Sequence, residues 1–189
     1  MNTLSAVVVS VALVTSWPID KIEPSMAKLI TGNGQCSAFS IAPGKWVTAA
    51  HCLDGGPYTL NKTHIATLTE ASFGMYGLAV LTSDLKRPAF KMGDKPKRGE
   101  DILQTGYGGG GPLIFYEGVV VIPAITFDGA PLQFTSALGM PGMSGGAIVN
   151  RKGRIVSVVI GAVKPTEVPT LIAYGTRWED LRDLLRRYQ

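Results

Sequence analysis

The sequence predicts an all-β protein: two packed β-barrels followed by a C-terminal helix. Three observations predict it. Short β-branched and aromatic runs recur along the 189 residues, separated by Gly, Pro, Asn and Asp. A charged, proline-bearing stretch, KRPAFKMGDKPKRGED over residues 86–101, divides those runs into two sets. Helical periodicity is confined to a small-residue turn at TAAHC and to the closing RWEDLRDLLRRY. A hydrophobic content of 46% with 23 Gly and 12 Pro fits a compact, turn-rich domain and excludes a disordered chain.

Taken in order, the first run is SAVVVSVALVTSW, residues 5–17. It is shorter than the roughly 20 residues a membrane span needs, so no stable span is expected. No Lys or Arg precedes it, and Trp17-Pro18 makes an awkward new N-terminus. A packed strand is therefore preferred over a signal-peptide core cleaved near Ser16. KLITG, SAFSIAPGKWVTAA, HIATLTE and GLAVLTS then form a first barrel over about 25–85, with a hairpin at Pro43-Gly44. Residues 86–100 read as an exposed linker. DILQTGYGGGG, LIFYEGVVVIPA, LQFTSA, GGAIVN, RIVSVVIGAV and TLIAYGT form a second barrel over about 101–175, with turns at Asp128-Gly129 and Lys152-Gly153. The final helix, 177–188, sets Arg182 and Arg186 one turn apart beside Leu181, Leu184 and Leu185, an amphipathic pattern.

The net charge of +4 is modest, and no basic stripe interleaved with aromatics is visible, so no nucleic acid is expected as a partner. The chemistry lies in two other stretches. GMPGMSGGAIVN, residues 139–150, sets Ser144 among four glycines. Glycine permits φ > 0 and leaves amide N–H groups uncovered, which suits a turn that points donors at a ligand. A glycine-rich hairpin turn explains the same stretch equally well when it stands alone. QCSAFSIAPGKWVTAAHC, residues 35–52, ends in His51 directly before Cys52, with Cys36 sixteen residues before Cys52. A hairpin turning near Pro43-Gly44 brings the two ends side by side, at a separation a disulfide could close. Spacing alone leaves a pair of buried free thiols open as well.

Together WVTAAHC with its paired cysteine, the downstream GxSGG and the QTGYG that opens the second half resemble the trypsin/chymotrypsin-like serine peptidases. The resemblance covers most of residues 27–187. It implies a chymotrypsin-like single peptidase domain over 1–189 that hydrolyses peptide bonds of a protein or peptide substrate, with no cofactor and no metal. It implies Ser144 as nucleophile, His51 as its general base, and the N–H groups of Gly142 and Ser144 as an oxyanion hole. A Cys36–Cys52 disulfide follows from the same resemblance, and with it a secreted or other oxidising compartment, a viral origin being open. Leu138, six residues before the serine, is expected at the floor of the substrate pocket, with Val159 and Ala162 on its wall. No acid lies in these segments, which disfavours Arg or Lys at P1 and favours a small or medium apolar residue.

The chain departs from the family in two places. The family carries an Asp at the head of a D-[IL]-A-[LV]-L strand, and here the matching GLAVL begins with Gly77. Glu70 and Asp84 are each seven residues away, roughly 20 Å along an extended chain, and Asp54 lies near His51 without a motif to support it. His64 has no motif support either and reads as a surface or strand histidine. Met143 stands where trypsin-like zymogens carry the Asp that pairs with a freed N-terminus, and no basic-Ile-Val-Gly-Gly segment is present. That resembles the bacterial and viral branches, in which no such ion pair forms. The expected function is thus a serine endopeptidase, weakened or altered at the acid. The alternative is an inactive relative that binds protein in the same cleft. A lipase or esterase is disfavoured, because an α/β-hydrolase elbow needs alternating βα units.

Overall fold

The computed structural model describes residues 16–32, 34–53, 55–72, 76–163 and 172–189. The expected N-terminal strand over 5–17 falls almost wholly outside them. What is described of it, Ser16 and Trp17, leads into a short helix α1 (Ile19–Ile22) that buries Ile22.

The first barrel consists of β1 (Met26–Thr31), β2 (Gly34–Ala42), β3 (Lys45–Ala49), β4 (Tyr58–Leu60), β5 (His64–Ala71) and β6 (Leu78–Ser83), closed in the order β1-β2-β3-β6-β5-β4. The second consists of β7 (Asp101–Gly106), β8 (Ile114–Phe127), β9 (Ala130–Leu138), β10 (Ala147–Val149), β11 (Ile155–Val163) and β12 (Ile172–Thr176), closed as β10-β11-β12-β9-β8-β7. Each neighbouring pair in both barrels is antiparallel. Hairpins turn at the expected dipeptides, with Gly44, Asp128, Gly129 and Gly153 at positive φ. β4 was not foreseen. Its three residues, YTL, show too short an alternation to register as a strand, yet β4 pairs with both β1 and β5 and so closes the first barrel.

Phe39 and Trp46, both fully buried, sit at the centre of the first barrel, and Trp46 Nε1 donates to the Leu85 carbonyl at 3.1 Å. Burying side chains of this size stabilises by about 1.5–3 kcal/mol each. The linker is less exposed than its charges imply. Phe90 packs edge-to-face on Phe39 with centroids 5.6 Å apart, and the main chain around Lys91 and Gly93 bonds to Ile155 of β11. Its lysines remain in solvent while Phe90 and Pro96 are buried and Met92 half-buried. Helix α2 (Trp178–Leu185) buries Leu181, Leu184 and Leu185, the face its sequence predicts. Beyond α2 the chain turns back to the first barrel, where Tyr188 Oη donates to Glu70 and Gln189 Nε2 donates to the carbonyls of Ile41 and Phe90. Among the described residues no helix is long and apolar enough to cross a membrane.

Candidate active site

His51 comes from the first barrel, in the single 3-10 turn Ala50–Cys52 that follows β3. Small residues at 49 and 50 let the chain turn sharply there. The turn is tied on one side by the Ala50 N–H donating to the Gly77 carbonyl at 2.8 Å. On the other side Cys52 forms the disulfide with Cys36, their Cα atoms 6.2 Å apart. Cys52 Sγ lies 3.8 Å from the Ser144 carbonyl oxygen, a contact and not a hydrogen bond, since the disulfide sulfur carries no proton. His51 therefore stands, exposed, between the residue flanking Gly77 and the residue touching Ser144.

Ser144 comes from the second barrel, in the turn before β10. Met140-Pro141-Gly142-Met143 is a β-turn closed by Met143 N–H donating to the Met140 carbonyl at 3.1 Å, with Gly142 at φ +92°. Proline second and a positive-φ glycine third define type II. The Pro141 carbonyl accepts from Gly109 N–H at 2.8 Å, and across the trans peptide the Gly142 N–H must point the opposite way. The Met143 carbonyl likewise accepts from Gly146 N–H at 2.8 Å, which orients the Ser144 N–H. Among the described residues neither the Gly142 nor the Ser144 amide donates to the protein itself. Two main-chain donors beside one hydroxyl is an arrangement suited to an anionic oxygen. The Ser144 hydroxyl donates to the Ile160 carbonyl at 3.0 Å.

Beside Ser144 opens a cleft of about 200 Å³ lined by Gly139, Met140, Pro141, Val159, Gly161 and Ala162. Val159 and Ala162, expected on a pocket wall, are among the residues that line it. Leu138 is not in the lining: its side chain is 40% exposed, and its carbonyl accepts from Gln104 Nε2 at 2.7 Å. Gly139 takes the position instead, packed so closely that a methyl group on it would meet Ala162 Cβ at 2.4 Å. The Tyr174 hydroxyl packs on Gly161, 2.5 Å from where a side chain there would begin, and burial raises its phenol pKa. Met143 is fully buried among Ile102, Val120, Ile148 and Val156, an apolar plug where an ion pair would otherwise sit.

The space beside Gly77 is occupied. A Cβ on Gly77 would lie 2.3 Å from the Ser72 carbonyl oxygen and 2.9 Å from its hydroxyl. Ser72 is held there by its N–H donating to the Leu78 carbonyl at 2.8 Å and its Oγ accepting from the Leu78 N–H at 2.7 Å. Two acids seven residues from Gly77 are engaged by other groups. Glu70 accepts from Arg187 and Tyr188, and Asp84 accepts from His64 Nδ1 at 3.0 Å, which holds the Asp84 carboxyl below its usual range. His64 is thus a strand-end histidine paired with an acid. Asp54 lies outside the described residues. Sequence reading missed Ser37, Gly109 and Ser72, which hold the site without belonging to its motifs. Ser37 is one of two serines, with Ser40, in the apolar run after Cys36; both are fully buried, and nothing in the sequence tells them apart.

The fold and the two-barrel cleft define a protease-type double β-barrel. The model of the trypsin-like peptidase domain matches residues 36–158, and the chain belongs to that family. No curated protein sequence matches it significantly. Among solved structures it resembles the Rv3671c protein of M. tuberculosis H37Rv, in a serine-to-alanine mutant described as an inactive form. That likeness has a TM-score of 0.77 at 21% identity, over 97% of this chain and 96% of the other. A second structure, of the Rv3671c protease in an inactive form, matches with a TM-score of 0.75 at 22% identity, over 89% of this chain and 91% of that one.

Proposed function

We propose that this protein is a serine endopeptidase in which Ser144 is the nucleophile and His51 its general base. The observation that carries the reading is the type II turn at 140–143, which leaves the Gly142 and Ser144 amides without acceptors next to the serine hydroxyl. The peptide carbonyl carbon is attacked by Ser144 Oγ, whose proton passes to the imidazole, and the same imidazole then protonates the leaving amine. As the carbonyl oxygen gains charge, the two amides stabilise it. The Ser144 hydroxyl turns from the Ile160 carbonyl toward His51 when this happens. The small cleft lined by Gly139, Val159 and Ala162 supports a small or medium apolar P1 side chain, with no acid among the described lining residues to receive Arg or Lys.

A second reading, a peptide-binding module without turnover, is favoured by one observation: the Ser72 backbone stands where the family's acid would project. A fluorophosphonate probe separates them. Labelling of the wild-type protein and its loss in a folded Ser144→Ala protein is the expected result. A folded wild-type protein that stays unlabelled overturns the peptidase reading and leaves the binder. Peptides with Ala, Val, Leu, Phe and Arg at P1 test the pocket, and preferred turnover of the Arg peptide would sink the apolar assignment.

A further inference from the structure

Pro141 and Gly142 favour a type II turn over type I, and a contact from outside the turn adds to that preference. The two differ by a flip of the central peptide, Pro141–Gly142, which would point the Gly142 N–H away and put the Pro141 carbonyl in its place. The second barrel's own hydrogen bond across the turn, Met143 N–H to the Met140 carbonyl, is compatible with either. The Gly109 N–H on the Pro141 carbonyl reinforces type II, and Gly109 belongs to the glycine turn after β7, which is held from the first barrel.

Three side chains of β1 and β2 reach that turn. Lys28 Nζ donates to the carbonyls of Gly110 and Gly111 at 3.1 and 2.8 Å. Gln35 Nε2 donates to the Tyr107 carbonyl at 2.8 Å. Ser37 is the junction: its hydroxyl accepts from Tyr107 N–H at 2.8 Å and donates to the Gly142 carbonyl at 2.8 Å. Its own N–H donates to the Ser144 carbonyl at 2.8 Å. One residue, fully buried, thus fixes the start of the glycine turn and two carbonyls of the Gly142–Ser144 segment. A buried hydroxyl that makes both of its hydrogen bonds to main-chain groups holds those groups in one arrangement.

We propose that Ser37 is a positioning residue for the oxyanion hole, and that it works with Gln35 and Lys28 as a brace by which the first barrel sets the peptide orientation in the second. The proposal rests on the serine-peptidase reading for its kinetic part only. The stabilisation concerned exists in the transition state and not in substrate binding, so the brace acts on kcat and not on KM. The experiment measures three quantities in wild type and Ser37→Ala: kcat and KM on an apolar-P1 peptide, the rate of fluorophosphonate labelling, and the amide resonance of Gly142 in ¹⁵N-labelled protein. Expected for Ser37→Ala are a kcat lower by about 10- to 100-fold, short of the ~10²–10³-fold for losing a donor itself, and KM within threefold. Labelling slows in parallel, and the Gly142 resonance broadens or splits. Should Ser37→Ala fail to fold, Lys28→Met removes only the outer part of the brace, and a several-fold loss of kcat with a shifted Gly142 resonance is expected. A folded variant that keeps kcat within twofold and leaves Gly142 unperturbed overturns the brace while labelling of the wild type upholds the peptidase. Conversely, a wild-type protein that neither labels nor turns over, but whose Gly142 resonance splits on Ser37→Ala, overturns the peptidase and upholds the brace.

Discussion

The two sides of the cleft are held by different kinds of group. On the serine side the work is done by main chain, and successive carbonyls from Met140 to Ser144 each have a donor in the protein: Met143, Gly109, Ser37, Gly146 and again Ser37. On the histidine side Gly77, where the proposed reading places the family's carboxylate, is packed against the backbone and hydroxyl of Ser72. The contrast teaches where sequence speaks. A main-chain device needs positive φ and close approach, and only glycine supplies both, so the device is written as glycine at Gly142 and Gly145. A side-chain device assembled across strands leaves no such mark.

The largest effect expected follows from the serine side. Gly145 has φ +80°, and a Cβ there would lie 2.1 Å from the Ser37 carbonyl oxygen and 2.3 Å from the buried Thr48 hydroxyl. Gly145→Ala is expected to cost more than about 4 kcal/mol, so that thermal melts show a protein largely unfolded or melting more than 10 °C lower. A near-native melt would mean the turn yields easily, and the contrast between the two sides would fail.

Next in size is the covalent tie that runs between them. The Cys36–Cys52 bond joins the residue before Ser37 to the residue after His51, across 16 residues of sequence. Closing a loop of that length contributes on the order of 3 kcal/mol, largely through the unfolded state. The double variant Cys36→Ala, Cys52→Ala should melt about 6–12 °C lower. A melt unchanged within a degree would show that packing alone aligns the two sides.

Gly77→Asp sharpens the comparison from the histidine side. A carboxylate at the family's acid position looks, from sequence, like a repair. The structure predicts otherwise: the new side chain meets the Ser72 backbone, and the overpacking costs about 1–3 kcal/mol without a gain in turnover. A folded Gly77→Asp protein with kcat raised tenfold or more would show that Ser72 gives way and that the acid alone was lacking. The smallest effect serves as a control remote from the cleft. Glu179 of α2 pairs with Lys95, and the lysine hydrogen bond holds its carboxyl below the usual range against the opposing effect of burial. A lowered carboxyl pKa contributes stability above its unfolded value and loses it as pH falls through the folded one. Lys95→Met should thus cost under about 1 kcal/mol at neutral pH, with the difference from wild type vanishing on acidification and kcat unmoved.

Much of this was legible in the sequence, for reasons that differ by element. Pro43-Gly44, Asp128-Gly129 and Lys152-Gly153 mark hairpins because a two-strand turn demands those dihedrals, and Leu181, Leu184 and Leu185 mark the buried face of α2 because helical geometry repeats. β4 escaped because it is short, and its place is decided by β1 and β5 on either side. Leu138 was expected in the pocket by counting back from Ser144, and counting does not tell which face of β9 a terminal residue shows. Ser72 escaped most completely: what fills the space at Gly77 is its carbonyl, a group every residue has.

The bonds that Ser37 makes to Gly142, Ser144 and Tyr107 have a consequence for the life of the chain before it is finished. His51 and Ser144 belong to different barrels, and the turn beside the serine keeps its form only while β2 of the other barrel lies against it. A chain with one barrel closed and the other still open carries both residues of the proposed pair but not the turn that goes with them. On the proposed reading, competence comes only when the two barrels dock.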